Sequence, residues 1–96
     1  MSIVEITTFR LADGVSDARF LALDRRVQTE LVPNQPGFLR RTTARHGPDW
    51  VVVTLWASAD DAAAYQRTVS EDPLQREFEG TLEAGTFHQA RYTTLD

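Results

Sequence analysis

The segment of residues 50–65, WVVVTLW-ASADD-AAAY, constrains the fold of this chain more than any other. Aliphatic residues fill the space between Trp50 and Trp56, and a run this apolar is typical of the most buried strand of a sheet. Ser58 follows, with Asp61 three residues later, in the pattern of a helix N-cap with an acidic first turn. The segment therefore predicts a buried strand that leads directly into a helix.

Three further segments have the β-branched and aromatic composition of strands: residues 3–11, 38–45 and 86–95. Residues 46–49 form a four-residue loop of turn formers, which joins the second of these strands to the buried strand as a hairpin. Strict alternation along residues 38–45 sets Phe38 and Arg40 on one face and Arg41 on the other.

Helical spacing fills the intervals between the strands. A first helix is predicted from an N-cap at Ser16 to Leu31, and its apolar residues recur three or four positions apart. These are Phe20, Leu23, Val27 and Leu31. Ser58 caps a second helix, and Asp72 followed by Pro73 begins a short third one.

The resulting order is β-α-β-β-α-(α)-β in one domain, residues 1–96. This is the α+β, ferredoxin-like arrangement, an antiparallel four-stranded sheet with both long helices on one face. The opposite face of the sheet carries apolar side chains over several hundred Å². Soluble monomers rarely expose a continuous apolar patch larger than about this size. We therefore expect a homodimer that buries this face, sheet against sheet.

Charge and composition limit the classes of function. Net charge is −4 and the isoelectric point is near 5.0, whereas a nucleic-acid backbone demands a basic face. There is no cysteine, which excludes disulfides and thiolate metal sites. No apolar run approaches the roughly 18 residues of a membrane span, and the N-terminus lacks a basic segment followed by an apolar one. We expect a cytoplasmic protein that binds neither nucleic acid nor membrane.

Two polar residues on the apolar face of the first helix are the most informative about a binding site. At about 100° per residue its apolar stripe spans about 80°; Asp24 projects inside that arc and Gln28 lies at its edge. A carboxylate aimed at the core must be hydrogen-bonded, paired, exposed to a cavity or protonated. Asp24 is therefore either a structural residue that meets a sheet arginine or a backbone donor, or one wall of a pocket between helix and sheet.

The arginines of the predicted strands allow two interpretations. Five of them fall in predicted strands: Arg10, Arg40, Arg41, Arg45 and Arg91. They form either solvated surfaces and interface ion pairs or an arginine-lined site for an anion. Neither His46 nor His88 shares a metal-like spacing with other ligands, and there is no Gly-rich phosphate loop or G-x-S-x-G nucleophile motif.

Two short motifs resemble those of a known family. Pro36-Gly37-Phe38 at the start of the second strand, and Trp56-Ala57-Ser58 before an acidic helix start, are similar to the PGF and W-x-S elements of the antibiotic biosynthesis monooxygenase group. That group belongs to the dimeric α/β barrel superfamily. The resemblance implies that two chains pack sheet on sheet into a barrel, with a pocket between each sheet and its own helices.

The resemblance also bears on cofactors. Haem-degrading members place an Asn near the position of Thr7, a Trp at that of Tyr65 and a His in the region of residues 73–77, which reads PLQRE here. The histidine is missing, so haem bound in the way of those members is not expected. The resemblance to cofactor-independent members implies that no other cofactor is needed. Members that resemble quinol monooxygenases often carry His where this chain has Tyr65.

Together with the residue pattern, the resemblance implies a small-molecule-binding homodimer that acts as a cofactor-independent monooxygenase of an aromatic or quinol-like substrate. Asp24 is the predicted base and Tyr65 the predicted hydrogen-bonding catalytic residue. The predicted pocket residues are Thr7, Phe9, Gln28 and Trp56. Trp56 has a second interpretation as a packing residue whose indole N–H is satisfied by a carbonyl. The alternative function is a non-enzymatic, ligand-binding or stress-associated dimeric barrel.

Overall fold

A computed structural model describes residues 1–95, and Asp96 of the predicted domain lies outside them. Four strands and three α-helices follow one another in these residues as β1-α1-β2-β3-α2-α3-β4. Their bounds are β1 Ile3–Phe9, α1 Asp17–Arg26, β2 Phe38–His46, β3 Asp49–Trp56, α2 Ala59–Val69, α3 Pro73–Glu79 and β4 His88–Thr93. None of the helices in this part of the chain is long and apolar enough to cross a membrane.

The strands form one sheet in the order β2-β3-β1-β4, and each neighbouring pair is antiparallel. The predicted ferredoxin-like α+β fold is therefore confirmed. The sheet places β3 between β1 and β2, so both edges of its backbone are paired. This position agrees with the apolar run between Trp50 and Trp56, because both of these residues are buried.

The ends of all four strands differ from the prediction. β1 ends at Phe9, and Leu11 forms only an isolated bridge to Leu82. β4 is shorter than the predicted residues 86–95. The predicted four-residue hairpin loop was wrong, since His46 pairs with Asp49 and only residues 47–48 turn. Gly47 makes this short turn possible with a φ of 60°, a region that side chains disfavour.

A β-bulge changes which arginine of β2 faces the helices. The register shifts between Phe38 and Arg40, so Leu39 is the extra residue of the pair. A bulge interrupts the alternation of faces, and it places Phe38 and Arg41 on the same side of the sheet. The predicted pairing of Phe38 with Arg40 on one face was therefore wrong.

The first helix also differs from the prediction of one α-helix to Leu31. After Arg26 the chain makes a single π-helical turn, Val27–Leu31, and then a 3-10 turn, Val32–Asn34. Pro33 is the physical reason, because proline lacks an N–H and its ring clashes with the carbonyl four residues earlier in an α-helix. The wider turn removes that clash, and Val32 N–H bonds instead to Val27 O.

The helices cover one sheet face through an aromatic cluster, which we define as Phe9, Phe20, Trp50 and Phe78. Phe20 of α1 is fully buried. Its ring centroid lies 4.7 Å from that of Trp50, 5.3 Å from that of Phe78 and 5.5 Å from that of Phe9. These tilted contacts are among the favourable geometries of aromatic pairs. The cluster joins β1, β3, α1 and α3 into one core.

Local capping explains the two motifs that resembled the monooxygenase family. Ser58 Oγ accepts a hydrogen bond from the Asp61 backbone N–H at 3.1 Å and donates one to Asp61 Oδ2 at 2.8 Å. Gly37, with a φ of 80°, lies against this carboxylate, and a Cβ there would come within 2.2 Å of Asp61 Cγ. The glycine before β2 and the cap of α2 are thus one packed unit.

None of the helices in residues 1–95 covers the other face of the sheet. Its central strands present Val4, Ile6, Val51, Val53 and Leu55. Val53 is 36% exposed and Tyr92 of β4 is 58% exposed. This apolar face, which we call the open face, is the surface that the sequence assigned to a homodimer.

Candidate functional site

A cavity of about 70 Å³ lies between the sheet and the helices. Most of its floor comes from β1 and β3, and its roof from Tyr65 of α2, from α3 and from the π-helical turn. The residues of the floor include Glu5, Thr7, Phe9, Val52 and Thr54. Phe87 and Gln89 also line the cavity and are exposed, so the mouth opens beside the start of β4.

Four polar residues stand side by side across the sheet beneath this cavity. The strand register aligns Arg41 with Thr54, Thr54 with Glu5, and Glu5 with Arg91. We call this alignment the polar row. Glu5 and Thr54 are buried and therefore point to the helix side. Because neighbouring strands lie about 4.8 Å apart, the row presents opposite charges at intervals that a small molecule can span.

Arg41 of the polar row forms a buried ion pair with Asp24 of α1. Arg41 Nη2 lies 2.8 Å from Asp24 Oδ1, and the side chains are 6% and 11% exposed. Among residues 1–95, however, Oδ1 accepts no hydrogen bond, because the approach is poorly aligned with the N–H direction. Nη1 makes only long contacts, 3.4 Å to Gln28 Oε1 and 3.5 Å to Thr43 Oγ1. The pair is close in distance but weakly hydrogen-bonded.

Glu5 and Arg91 form the second ion pair of the row, with better geometry. Arg91 Nε donates to Glu5 Oε2 at 2.8 Å, and another Arg91 N–H donates to Gln66 of α2. Glu5 lines the cavity directly. Two residues further along the same strands, Gln89 Nε2 of β4 donates to Thr7 Oγ1 of β1 at 3.1 Å. The β1–β4 side of the cavity is thus fixed by paired polar groups.

Tyr65 lies on the cavity wall between Trp56 and the charged groups. Desolvation by burial raises the pKa of Tyr65 to about 12, and the nearby Arg41 offsets this rise only in part. The phenol therefore keeps its proton at neutral pH. It can donate a hydrogen bond into the cavity, but it is a poor base.

Trp56 lies behind Tyr65, and its side chain is fully buried. The ring centroids of Trp56 and Tyr65 are 4.8 Å apart, and Phe38 packs edge-on against Trp56 at 6.0 Å. The indole Nε1 has no hydrogen-bond partner among the described residues, which differs from the carbonyl partner expected for a packing tryptophan. Trp56 supports Tyr65 from below and is not part of the cavity wall.

The predicted site residues occupy three positions relative to the cavity. Thr7, Phe9 and Tyr65 line it. Asp24 and Gln28 reach it through their contacts with Arg41, and Trp56 lies behind Tyr65.

Sequence reasoning did not single out Glu5, Gln75 or Gln89, which also line the cavity. Arg41 appeared only as one of five strand arginines. One signal for Glu5 was present, because alternation sets it on the same face of β1 as Thr7 and Phe9.

Among the described residues, the cavity wall lacks the histidine that the resemblance assigns to haem-degrading members. Residues 73–77 lie at the start of α3, where Gln75 faces the cavity, and no imidazole is among the lining residues. His46 and His88 are exposed on the hairpin and on β4. Within residues 1–95, no cluster of three or more histidine or carboxylate side chains is arranged to hold a metal ion.

Solved structures with the same fold cover nearly the whole chain. The cofactor-independent oxygenase SnoaB from Streptomyces nogalater superposes with a TM-score of 0.82 at 17% identity, over 99% of this chain and 94% of that one. A Bordetella bronchiseptica protein assigned to the antibiotic biosynthesis monooxygenases gives 0.81 at 14% identity, over 98% and 97%. The fold is that of the antibiotic biosynthesis monooxygenase structures. The resemblance predicted from the sequence is confirmed at this level.

A third structure with this fold contains a ligand. The monooxygenase ActVA-Orf6 of Streptomyces coelicolor, in complex with Nanaomycin D, superposes with a TM-score of 0.72 at 16% identity, over 99% of this chain and 88% of that one. The sequence matches no protein-family model, and a search of curated proteins finds no match. Similarity at these identities establishes the fold, while activity has to be argued from the cavity.

Proposed function

We propose that this protein is a small-molecule-binding homodimer and a cofactor-independent monooxygenase of a phenolic or quinol-like substrate. One observation carries the proposal: a cavity between sheet and helices combines a carboxylate, a guanidinium and a neutral phenol with aromatic side chains. Such a wall can bind a ring, hold its oxygen atoms and accept a proton. The solved oxygenases with this fold support it by analogy.

The chemistry needs little from the protein beyond binding and proton transfer. An electron-rich phenol with a reactive ring methylene loses a proton to a carboxylate, and the resulting anion is oxidised by dioxygen. One oxygen atom becomes a ring carbonyl and the other leaves as water, so that the substrate loses two hydrogen atoms and gains one oxygen. The protein orients the ring and stabilises the anion.

Two carboxylates are candidates for the base. Asp24, the predicted base, lies 2.8 Å from Arg41 and does not line the cavity. Glu5 lines the cavity but is held by Arg91. In our proposal Tyr65 donates a hydrogen bond to the substrate oxygen, because its raised pKa keeps it protonated. Trp56 fixes the Tyr65 ring by packing behind it.

The size of the cavity determines how a substrate enters. Its volume of about 70 Å³ is smaller than the roughly 150 Å³ of a cavity that holds benzene. A ring therefore inserts its oxygen-bearing edge while the rest lies in the mouth, or Phe87 and Gln89 move aside. Phe87 is 47% exposed, so its side chain has room to move.

The open face supports the homodimer in the proposal. It aligns Val4 with Leu55 and Ile6 with Val53 in adjacent pairs on β1 and β3. A second copy of the same face would bury these side chains, because an isologous contact places the same apolar patch on both sides of the interface. Dimer formation would leave the cavity on the helix side of each sheet.

Oxygen consumption with a reactive anthrone, such as 1,8-dihydroxyanthrone, tests the activity. We expect catalysed uptake, and we expect Tyr65→Phe to lower kcat by about a hundredfold, the lower scale of acid-base contributions. Asp24→Ala should also lower kcat, through the loss of its contact with Arg41, because Asp24 itself does not line the cavity. Asp24→Ala must leave the dimer intact by sedimentation, since unfolding would indicate a structural carboxylate. Glu30→Gln is the control, because Glu30 makes an exposed ion pair with Arg26.

The small cavity volume favours one alternative, a non-enzymatic ligand-binding dimer. A thermal-shift screen against phenols, quinones, flavins and haem separates the two functions. A ligand at 100 times its Kd stabilises the folded state by about 2.7 kcal/mol. Stabilisation by a phenol without oxygen consumption would favour the binding protein.

A further inference from the structure

We infer that Arg41 is the anion-binding group of the cavity, and that the ligand is a small ring compound with a carboxylate or an ionised phenol or enol. The inference rests on the proposed function for one point, that a small molecule occupies this cavity. It does not depend on oxygen chemistry. It selects the anion-binding interpretation from the two that the strand arginines allowed.

The Arg41 guanidinium is incompletely hydrogen-bonded by the described residues. The side chain of Arg41 is 6% exposed and lines the cavity. Arginine has five N–H donors, yet within residues 1–95 only Nη1 makes hydrogen bonds, at 3.4 and 3.5 Å. Nη2 contacts Asp24 Oδ1 at 2.8 Å without an aligned hydrogen bond. The donor capacity of the guanidinium is therefore only partly used by these residues, and a ligand in the cavity can use the rest.

The counter-charge of Arg41 lies on the helix side of the guanidinium. Asp24 neutralises Arg41 from the helix side, but Oδ1 accepts no hydrogen bond from it within the described chain. The ion pair therefore lowers the cost of burying the charge without using the donor geometry of the guanidinium. An anionic oxygen in the cavity would add the aligned hydrogen bonds, which are stronger when a charged group takes part.

The rest of the wall favours an anion at this end of the cavity. Glu5 is the other charged lining residue, and its partner Arg91 offsets its charge. Thr7 and Thr54 contribute hydroxyl groups that can donate to an anion. The Phe78 ring lies 5.9 Å from Arg41 Cζ and helps to hold the guanidinium plane. A planar guanidinium matches a carboxylate by two parallel hydrogen bonds.

Arg45 provides a matched control on the same strand and the same side of the sheet. Its side chain is 46% exposed, pairs with Asp17 and stacks on Trp50 at 5.1 Å. It does not line this cavity. An anion that is held by surface charge alone would depend on Arg45 as much as on Arg41.

Titration calorimetry with charged and neutral ring compounds tests the inference. Benzoate is compared with benzamide, and 4-nitrophenolate at pH 8.5 with 4-nitroanisole. We expect at least one anion to bind at least tenfold more tightly than its neutral partner, the scale of a hydrogen bond to a charged group. The two pairs show whether the site takes a carboxylate, an ionised phenol or both.

Variants assign the preference to Arg41. Arg41→Gln should remove it and Arg41→Lys should keep part of it, while Arg45→Gln should leave it unchanged. Asp24→Asn should strengthen anion binding, because it removes the competing negative charge. The double variant Arg41→Gln/Asp24→Asn removes both buried charges and keeps the test valid if Arg41→Gln alone fails to fold.

Three outcomes would overturn the inference: no binding of either anion, equal affinity for charged and neutral rings, or an anion preference that survives in the double variant. Each is distinct from failure of the proposed function. Tight, Arg41-dependent anion binding without oxygen consumption would keep the inference and remove the oxygenase. Oxygen consumption with no anion preference would keep the oxygenase and remove the inference.

Discussion

The aromatic cluster and the polar row lie on the same face of the same sheet, but the cluster packs tightly around Phe20, whereas the row borders the cavity together with Phe9 and Phe78 at the edge of the cluster. In the cluster, Phe20 descends from α1 onto Phe9 and Trp50, and the rings fill the layer between helix and sheet. In the row, side chains bond sideways to neighbouring strands, as Arg91 does to Glu5. A backbone of one geometry thus supports both a rigid core and a binding site, and side-chain chemistry decides which one forms.

The cluster should be the more sensitive of the two regions. Phe20→Ala removes a fully buried ring with three aromatic neighbours, so we expect a loss of about 3–5 kcal/mol in the free energy of unfolding. Urea denaturation measures it. Leu21→Ala is the control, because Leu21 is 47% exposed and should change stability by no more than about 0.5 kcal/mol. Equal losses for both variants would contradict a core centred on Phe20.

The polar row should respond less, and unequally at its two ends. Asp24→Asn leaves Arg41 without its buried counter-charge, which should cost about 3 kcal/mol, the lower end for breaking a buried ion pair, because Arg41 borders the cavity. Glu5→Gln should cost about 1 kcal/mol or less, because Arg91 is 32% exposed and can turn to solvent. The same urea experiment compares them. A larger loss for Glu5→Gln would mean that the well-bonded pair, not the buried one, stabilises the row.

The sequence predicted the fold well because each level of the pattern agreed. The apolar run before Ser58, the caps at Ser16 and Asp72 and the spacing of Phe20 with Leu23 all follow local rules, and the structure has each of them. The placement of Asp24 toward the core also followed from helical periodicity, since Asp24 is buried.

The polar row was less accessible to prediction for two physical reasons. The bulge at Leu39 reverses the alternation before Arg41, and no residue of β2 signals such a bulge by its type. The row also depends on the register of four strands, which brings residues 5, 41, 54 and 91 together from distant parts of the chain. Alternation within one strand gives the face of a residue but not its neighbours across the sheet.

The smallest effect at neutral pH belongs to Tyr65, which lies between the two regions. Its folded-state pKa is raised to about 12, chiefly by desolvation, whereas an unfolded tyrosine titrates near 10. The folded state therefore holds this proton more tightly, and the resulting stability is complete below about pH 10 and lost as pH rises toward 12. Wild type should lose more stability than Tyr65→Phe between these values in urea titrations. Parallel losses in the two proteins would show that the phenol is already hydrated, and the wall around it more open than the cavity suggests.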